Sequence, residues 1–440
     1  MPTKTDLPPA RTPGQSVPTW DRLAALDPAS LRAAAGTLAE TPLPAVNSAL
    51  LSPAGFDTFE GDGSRVLRPV AEVRTTPHRS LRIAHGRTRV GTYPPSGVIT
   101  PAELAALRDY AAVRVPFGAG AGPVELAALL RQLLVAGVPV LAPDLPLSVR
   151  RLLGRDLGDL VAALTPAAVA DVDRREHWSV DARRLALLTA TSAAGVPSSP
   201  SAVTAVVEAG SGLTAVLRDL RAQTWPNLAV VVAAGDDDTV PARLPAGIEV
   251  VRAATRADAV RAAVRDGGGE LATVVTPELS YGPEHVRDLV LGYRYGQRPV
   301  AGTVVRRTYL EPLDLTACAP GEPTEAPTDR LSARTLLAAA STLLELLTDG
   351  DGDLVTVGDD GYAIHDRNVH RTVRRGRPGL DAALHAGGLQ VPGETGRIGW
   401  LAAESRRAPS ATTRAHHDRV DPAYLSYFAR IDAAGAASAR

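Results

Sequence analysis

The chain has 440 residues, and its 47 basic and 48 acidic side chains leave a formal net charge of −1. At about 150 residues per domain, this length predicts two or three domains with hydrophobic cores. The balanced charge excludes a basic field for nucleic-acid binding, although Lys4 is the only lysine and the arginine bias indicates a GC-rich genome. The sequence shows no apolar run that approaches a membrane span, no secretory signal, and one cysteine, Cys318. We therefore expect a cytoplasmic protein.

The N-terminal half predicts a partly disordered region followed by an α/β domain. Residues 1–60 are rich in Pro, Ala and Thr and carry short helical patches. Residues 61–172 alternate short branched apolar segments (SLRIAHG, AAVRVPF, GVPVLAP) with amphipathic stretches such as GPVELAALLRQLLVAG. Short apolar segments of this kind are typical of buried parallel strands, and the alternation predicts a Rossmann-like α/β domain.

The C-terminal half predicts a second α/β domain. A linker helix and a Pro/Ser cluster occupy residues 173–200, where we place the domain boundary. Strand and helix patterns alternate again over residues 201–375 and predict an open, mostly parallel sheet, with a ligand crevice at the carboxyl ends of the strands. Residues 376–440 lose periodicity and predict a tail with a short helix.

Three stretches of the second domain carry a resemblance to a known family. The first is SAVTAVVEAGSGLTAVLRDLRAQTWPNLAVVVAAGDDD, in which a helix ends in a Gln-Thr-Trp-Pro-Asn turn between two strands. The second is ELATVVTPELSYGPEHVRDLVLGYRYGQRPVAGT, with a Tyr-Gly-Pro helix start, and the third is LVTVGDDGYAIHDRNVHRTVRR. Over about residues 198–375 the chain resembles the family 2 glycosyltransferases, and its first domain is similar to bacterial two-domain members of that group.

The resemblance implies a GT-A fold, a nucleotide diphosphate-sugar donor and a glycan or lipid-linked acceptor. It also implies Mg²⁺ or Mn²⁺, held by an Asp-x-Asp motif before the Tyr-Gly-Pro helix and bridging to the diphosphate. In this chain Thr276, Pro277 and Glu278 stand there. Only Glu278 keeps a carboxylate, so the metal motif is degraded and transfer chemistry is in doubt.

Five residues are candidates for contacting the nucleotide: Glu208, Asp236, Asp237, Arg306 and Arg307. Asp236 and Asp237 follow the second strand, where the acidic turn of the family contacts the nucleoside; a solvated acidic turn is the alternative. Arg306 and Arg307 follow the fifth strand. Because arginine forks suit phosphate, they are candidates to meet a diphosphate in place of a metal.

An inverting transfer also needs a base that takes the proton of the acceptor hydroxyl. The candidates are Asp349, Asp351 and Asp353 in LLTDGDGDLV, a stretch that also fits a carboxylate-rich turn. Its spacing is similar to a calcium loop, but position 12 is Asp360 and not the usual Glu.

Two further motifs favour structural interpretations. The glycines of FGAGAGPVELAALL predict a tight strand-to-helix turn rather than a phosphate site, because the spacing departs from the dinucleotide pattern. His365, Asp366 and His370 predict a polar cleft lining or surface histidines rather than a metal site.

Two functional hypotheses remain open. In the first, the chain is a family 2-like glycosyltransferase with a weakened or metal-independent site. In the second, it is a non-catalytic relative that serves as a binding or assembly subunit beside an active partner transferase. The degraded metal motif fits the second hypothesis, and the family resemblance fits both.

Overall fold

A computed structural model describes residues 70–75, 81–85, 88–93, 106–107, 110–115, 123–170, 172–190, 201–296, 298–310, 315–318, 325–347 and 354–373. Within them the chain is a mixed α/β protein with a large, mostly parallel central sheet, as predicted. No helix in these ranges is both long and apolar enough to cross a bilayer.

The first unit contains a five-stranded sheet in the order β3-β2-β1-β4-β5. SLRIAHG was expected to form a parallel strand, but it forms β2, which pairs antiparallel with β1; the β1–β4 and β4–β5 pairs are parallel. β2 also pairs antiparallel with β3. Only two residues separate these strands in the chain, and a parallel pair would need a much longer connection. The strands are β1 (Val70–Thr75), β2 (Leu81–His85), β3 (Thr88–Tyr93), β4 (Ala112–Arg114) and β5 (Val140–Leu141).

Within residues 123–190, the part of this unit that the structure describes almost completely, there are five helices. The first begins at Pro123, whose fixed φ suits the opening turn, and is followed by Gly137 at φ 74°, a conformation that glycine adopts without strain. Leucines of this helix form the centre of the first core together with Trp178. The helices are α1 (Pro123–Val135), α2 (Leu147–Leu153), α3 (Arg155–Ala163), α4 (Pro166–Ala170) and α5 (Val172–Ala190).

The second unit is built on an eight-stranded sheet in the order β14-β16-β11-β15-β9-β6-β7-β8. Six of its strands run in one direction, and β14 and β15 run against them. The strands are β6 (Val203–Glu208), β7 (Leu228–Gly235), β8 (Glu249–Ala253), β9 (Leu271–Val275), β11 (Val300–Gly302), β14 (Ala326–Ser332), β15 (Leu337–Ala339) and β16 (Leu354–Ala363).

Helices cover both faces of this sheet because alternate strand residues are apolar on each side. Ala205 and Val207 of β6 pack under one helix, α6, while Val206 packs under α7 on the opposite face. A third helix, α8, lies on the α6 side against Val203. The helices are α6 (Leu213–Arg221), α7 (Arg256–Asp266), α8 (His285–Tyr295) and α9 (Ala340–Leu346).

A small third sheet has the order β10-β17-β12-β13. The stretch RPVAGTVVRRTYL contributes to two sheets, because β11 ends at Gly302 in the large sheet and β12 begins at Arg307 in the small one. Contacts of Arg306 and Arg307 with Asp366 accompany this change of sheet. The strands are β10 (Leu279–Tyr281), β12 (Arg307–Leu310), β13 (Leu315–Cys318) and β17 (Val369–Val373).

The predicted linker helix, α5, packs on both units. Its apolar residues Trp178, Ala182 and Leu187 belong to the first core, which also includes Leu291 and Tyr295 of α8. Because the two units share these core residues, α5 is a structural part of both. The Pro/Ser cluster that follows it lies outside the described residues.

Candidate functional site

The large sheet has a topological switch point at β6. This strand lies between β7, which follows it in the chain, and β9, which comes later, and all three strands are parallel. In open α/β sheets, ligands bind outside the carboxyl ends of the strands at such a point. We call this region the switch-point crevice; it is formed by residues 208–212 after β6, 235–238 after β7, 276–278 after β9, and Arg334.

The loop after β6 and the loop after β9 approach each other closely in the crevice. Gly212 has φ 103°, which favours glycine. A Cβ on Gly212 would lie 3.2 Å from the carbonyl oxygen of Pro277, and one on Gly210 would lie 3.6 Å from the Pro277 ring. The Cβ would crowd Pro277 at Gly212 and make an ordinary contact at Gly210, so the missing side chain of Gly212 is what allows Pro277 to approach the turn after β6.

The position of the metal motif does not fit a divalent cation. Thr276 is buried and its backbone N–H donates to Tyr281 Oη at 2.9 Å, while Glu278 is exposed. Such cations need about six oxygen ligands. In the described part of the chain, no three His, Cys, Asp or Glu side chains are grouped to hold one. The metal role predicted for Glu278 would thus rest on one protein carboxylate.

Glu208, the last residue of β6, faces the crevice edge and is held by an arginine. Its Oε2 accepts a hydrogen bond from Arg334 Nε at 3.1 Å. Only 9% of Glu208 is exposed, so this contact satisfies a carboxylate that is largely removed from water. Its predicted contact with the nucleotide stays a prediction.

The three aspartates of the turn after β7 have different surroundings. Asp238 accepts hydrogen bonds from the backbone N–H of Gly235 and from Nε of Arg256, both at 2.9 Å. The Arg256 contact, with help from the Gly235 N–H, lowers the pKa of Asp238 to about 2. Asp236 and Asp237 are exposed at the carboxyl end of the strand. Asp238 therefore closes the turn, and its two neighbours stay accessible to a ligand.

Sequence patterns do not reveal the roles of two residues here, Arg334 in the crevice and the buried Tyr281 behind it. Arg334 lies in a short 3₁₀ helix, Ala333–Thr335, and reaches Glu208 across a sequence separation of 126 residues. Tyr281 is fully buried and donates from its hydroxyl to the backbone oxygen of Arg334 at 3.2 Å. Burial raises the pKa of Tyr281, so its hydroxyl stays protonated and joins Thr276 to Arg334. No local motif marks either role.

Arg306 and Arg307 lie in a buried ion-pair cluster. Arg307 Nη2 contacts both oxygens of Glu176 on α5, at 2.9 and 3.1 Å, and its Nε contacts Asp366 at 3.1 Å. Arg306 is also buried, and its backbone N–H donates to Asp366 at 3.0 Å. A diphosphate would have to replace these carboxylates, so the role predicted for the two arginines has no open surface to act through.

The histidines of the third resembling stretch are buried, which corrects the alternative that they lie at the surface. His365 Nδ1 accepts from the backbone N–H of Arg367, and its Nε2 lies 3.3 Å from Asp288. Burial lowers the pKa of His370 to about 3, and the nearby Arg307 adds to this. Both side chains therefore belong to the interior.

A cavity also lies beside α5, but it is not a nucleotide site. It is lined by Arg183, Arg184, Asp288 and Tyr362 and has a volume of about 20 Å³. This is room for about one water molecule. The base candidates Asp349, Asp351 and Asp353, and the glycine-rich turn at 117–122, lie outside the described residues.

Comparison with known proteins gives partial structural similarities. No protein-family model matches the chain, and no curated protein matches its sequence. A crystal structure of Staphylococcus aureus TarS residues 1–349 with UDP-GlcNAc aligns with a TM-score of 0.27 and 14% identity, over 40% of this chain and 60% of that one. GalNAc-T7 with UDP, GalNAc and Mn²⁺ aligns with a TM-score of 0.27 and 11% identity, over 34% of this chain and 37% of that one.

A second crystal structure of TarS from S. aureus aligns over 39% of this chain and 37% of that one, with 14% identity and a TM-score of 0.27. The chain thus spans less than two thirds of the length of each of these proteins. At these scores the similarity carries no argument about what this chain does.

Proposed function

We propose that this protein is a glycosyltransferase family 2-like protein that binds a nucleotide diphosphate-sugar at the switch-point crevice. One observation carries the proposal: three parallel strands, β6, β7 and β9, end together where the strand order reverses. Such a crevice is the expected ligand position in an open α/β sheet. The exposed Asp236 and Asp237 supply oxygen acceptors for ribose or base hydroxyl and amine groups.

Transfer would require two further groups. A base must take the proton of the acceptor hydroxyl, and Asp349, Asp351 and Asp353 remain the candidates for it. Positive charge must also stabilise the diphosphate as it leaves the sugar. The proposed acceptor is a glycan or a lipid-linked glycan, and the proposed location is the cytoplasm of a bacterium.

The alternative is a non-catalytic protein that acts as a binding or assembly subunit of an active transferase. The observation that favours it is the position of Pro277, because a Cβ on Gly212 would lie 3.2 Å from its carbonyl oxygen. Pro277 therefore stands close to the turn after β6, and Glu278 is the only carboxylate at the metal-motif position. A protein of this kind would keep the glycosyltransferase-like fold but would not cleave the sugar donor.

Thermal shift and calorimetric titration with UDP, GDP and dTDP, each with and without Mn²⁺, test the proposal. We expect one nucleotide to bind and the double variant Asp236→Asn/Asp237→Asn to weaken it. Asp329→Asn is the matched control, because this exposed carboxylate lies on β14. No binding of any nucleotide by folded protein would contradict the proposal.

A second assay separates the two alternatives. Release of nucleotide from a sugar donor that the protein binds is expected for an enzyme. We expect Asp349→Asn, Asp351→Asn or Asp353→Asn to abolish it if that residue is the base. Binding without any donor turnover, with or without an added glycan acceptor, would favour the non-catalytic alternative.

A further inference from the structure

Arg334 presents donors to the switch-point crevice. Its Nε donates to Glu208, a contact that fixes the direction of the side chain, and 36% of the side chain is exposed. Among the described residues, its two Nη nitrogens have no hydrogen-bond partner. A guanidinium group held on one side in this way keeps four N–H donors for a ligand.

Arg256 is held in a similar way at the next strand. Asp238 accepts from its Nε and Nη2, and 47% of the side chain is exposed. The backbone nitrogen of Arg256 lies 3.0 Å from the position that a Cβ on Gly235 would take, so the start of α7 packs closely on the end of β7. The ends of β6 and β7 therefore each carry a carboxylate that holds one arginine.

Among the residues that the structure describes, no three His, Cys, Asp or Glu side chains are grouped to hold the divalent cation that the family resemblance implies. Glu208 is bonded to Arg334, Asp238 is bonded to Arg256, and Glu278 is the carboxylate left at the metal-motif position. Arginine forks match phosphate oxygens in geometry and charge. We propose that, at the nucleotide site on which this inference rests, the diphosphate is held without a divalent cation by Arg334 and Arg256.

Glu278 distinguishes this arrangement from a metal site. Glu278 follows β9 in the switch-point crevice, and its negative charge favours the charged form of Arg256. In a metal site the carboxylate would bind the cation, so its loss would weaken nucleotide binding. In a metal-free site the carboxylate repels the diphosphate, so its loss strengthens binding.

The experiment is calorimetric titration of the full chain with UDP, GDP and dTDP in EDTA and in Mn²⁺, repeated with variants. We expect the same affinity in both buffers, and a loss of about tenfold or more in Arg334→Ala and in Arg256→Ala. Glu278→Gln is expected to bind a few-fold more tightly. Arg334→Lys keeps the positive charge but loses the two-pronged guanidinium group, so we expect an intermediate loss of nucleotide affinity. This variant tests the same contact if Arg334→Ala does not fold.

Arg330→Ala is the matched control, because this arginine is 60% exposed and paired with Asp329 on β14. Binding that requires Mn²⁺ and is lost in Glu278→Gln would overturn the inference and leave the proposed function standing. Binding that is equal in the wild-type, Arg334→Ala and Arg256→Ala proteins would also overturn it. No binding of any nucleotide under either condition would instead overturn the proposed function, and the inference with it.

Discussion

Arg184 of α5 and Asp288 of α8 form a buried, two-pronged ion pair, with Nε–Oδ1 at 2.6 Å and Nη2–Oδ2 at 2.9 Å. The side chains are 9% and 4% exposed. Asp288 also accepts from Asn368 and contacts His365. Because α5 belongs to the first core as well, this pair fixes the first unit to the second.

Removing one partner of this pair should destabilise the fold strongly. We expect Asp288→Ala to lower the free energy of unfolding by about 3–5 kcal/mol, since Arg184 would keep a buried charge without its main partner. Asp329→Ala breaks an exposed pair with Arg330 and should cost at most about 1 kcal/mol. Urea denaturation measures both, and equal effects would contradict the buried-pair interpretation.

The buried carboxylates predict acid sensitivity. Burial alone would raise the pKa of Asp288, but Arg184 and His365 hold it well below its usual range. Burial likewise opposes Arg367 and Arg307, which lower the pKa of Glu176. Since both folded pKa values are depressed, their stabilisation is present above about pH 4, the unfolded value, and is lost as the pH falls below it.

A buried histidine extends the loss of stability in acid to pH values closer to neutral. Burial lowers the pKa of His285 to about 4 from the ordinary 6.5. The unfolded chain therefore binds a proton at pH 6 that the folded chain does not, and stability falls as the pH drops from about 6.5 to 4. Melting temperatures between pH 8 and 3 test this. His285→Gln should make the melting temperature depend less on pH between about 6.5 and 4. A pH dependence equal to that of the wild-type protein would contradict the role of His285.

Tyr281 predicts a link between stability and the crevice. Tyr281→Phe removes the hydroxyl that joins Thr276 N–H to the backbone oxygen of Arg334. The buried N–H loses its partner, at a cost of about 1–3 kcal/mol in unfolding free energy. We also expect weaker nucleotide binding, because the loop after β9 and the turn of Arg334 lose their connection. Tyr293→Phe, on α8, is the control, and an equal effect there would contradict the role of Tyr281.

Apolar periodicity was sufficient to predict the central layers of the fold. Strands β6, β7 and β9 read as buried apolar runs, and α6 and α7 read as amphipathic helices between them. Periodicity is less informative at RPVAGTVVRRTYL, where one stretch of sequence passes from the large sheet into the small one. The apolar residues of this segment do not indicate which of the two sheets its first or second part joins.

The charged residues were harder to predict than the apolar ones. The linker helix contains Glu176, Arg183 and Arg184, a composition typical of a solvated helix, yet all three are buried. Their partners come from distant parts of the chain, and local sequence cannot show such pairs. For the same reason, no sequence pattern marks Arg334, whereas the adjacent Arg306 and Arg307 suggest a phosphate site by their pairing and are buried.

Hydrogen–deuterium exchange with and without the nucleotide that binds most tightly tests the central claim most directly. The account predicts slower exchange in the three segments after β6, β7 and β9, together with the turn that carries Arg334. It predicts no change in α1 or in the strands β1–β3 of the first unit. Protection confined to the first unit, with exchange at the switch-point crevice unaltered, would contradict it.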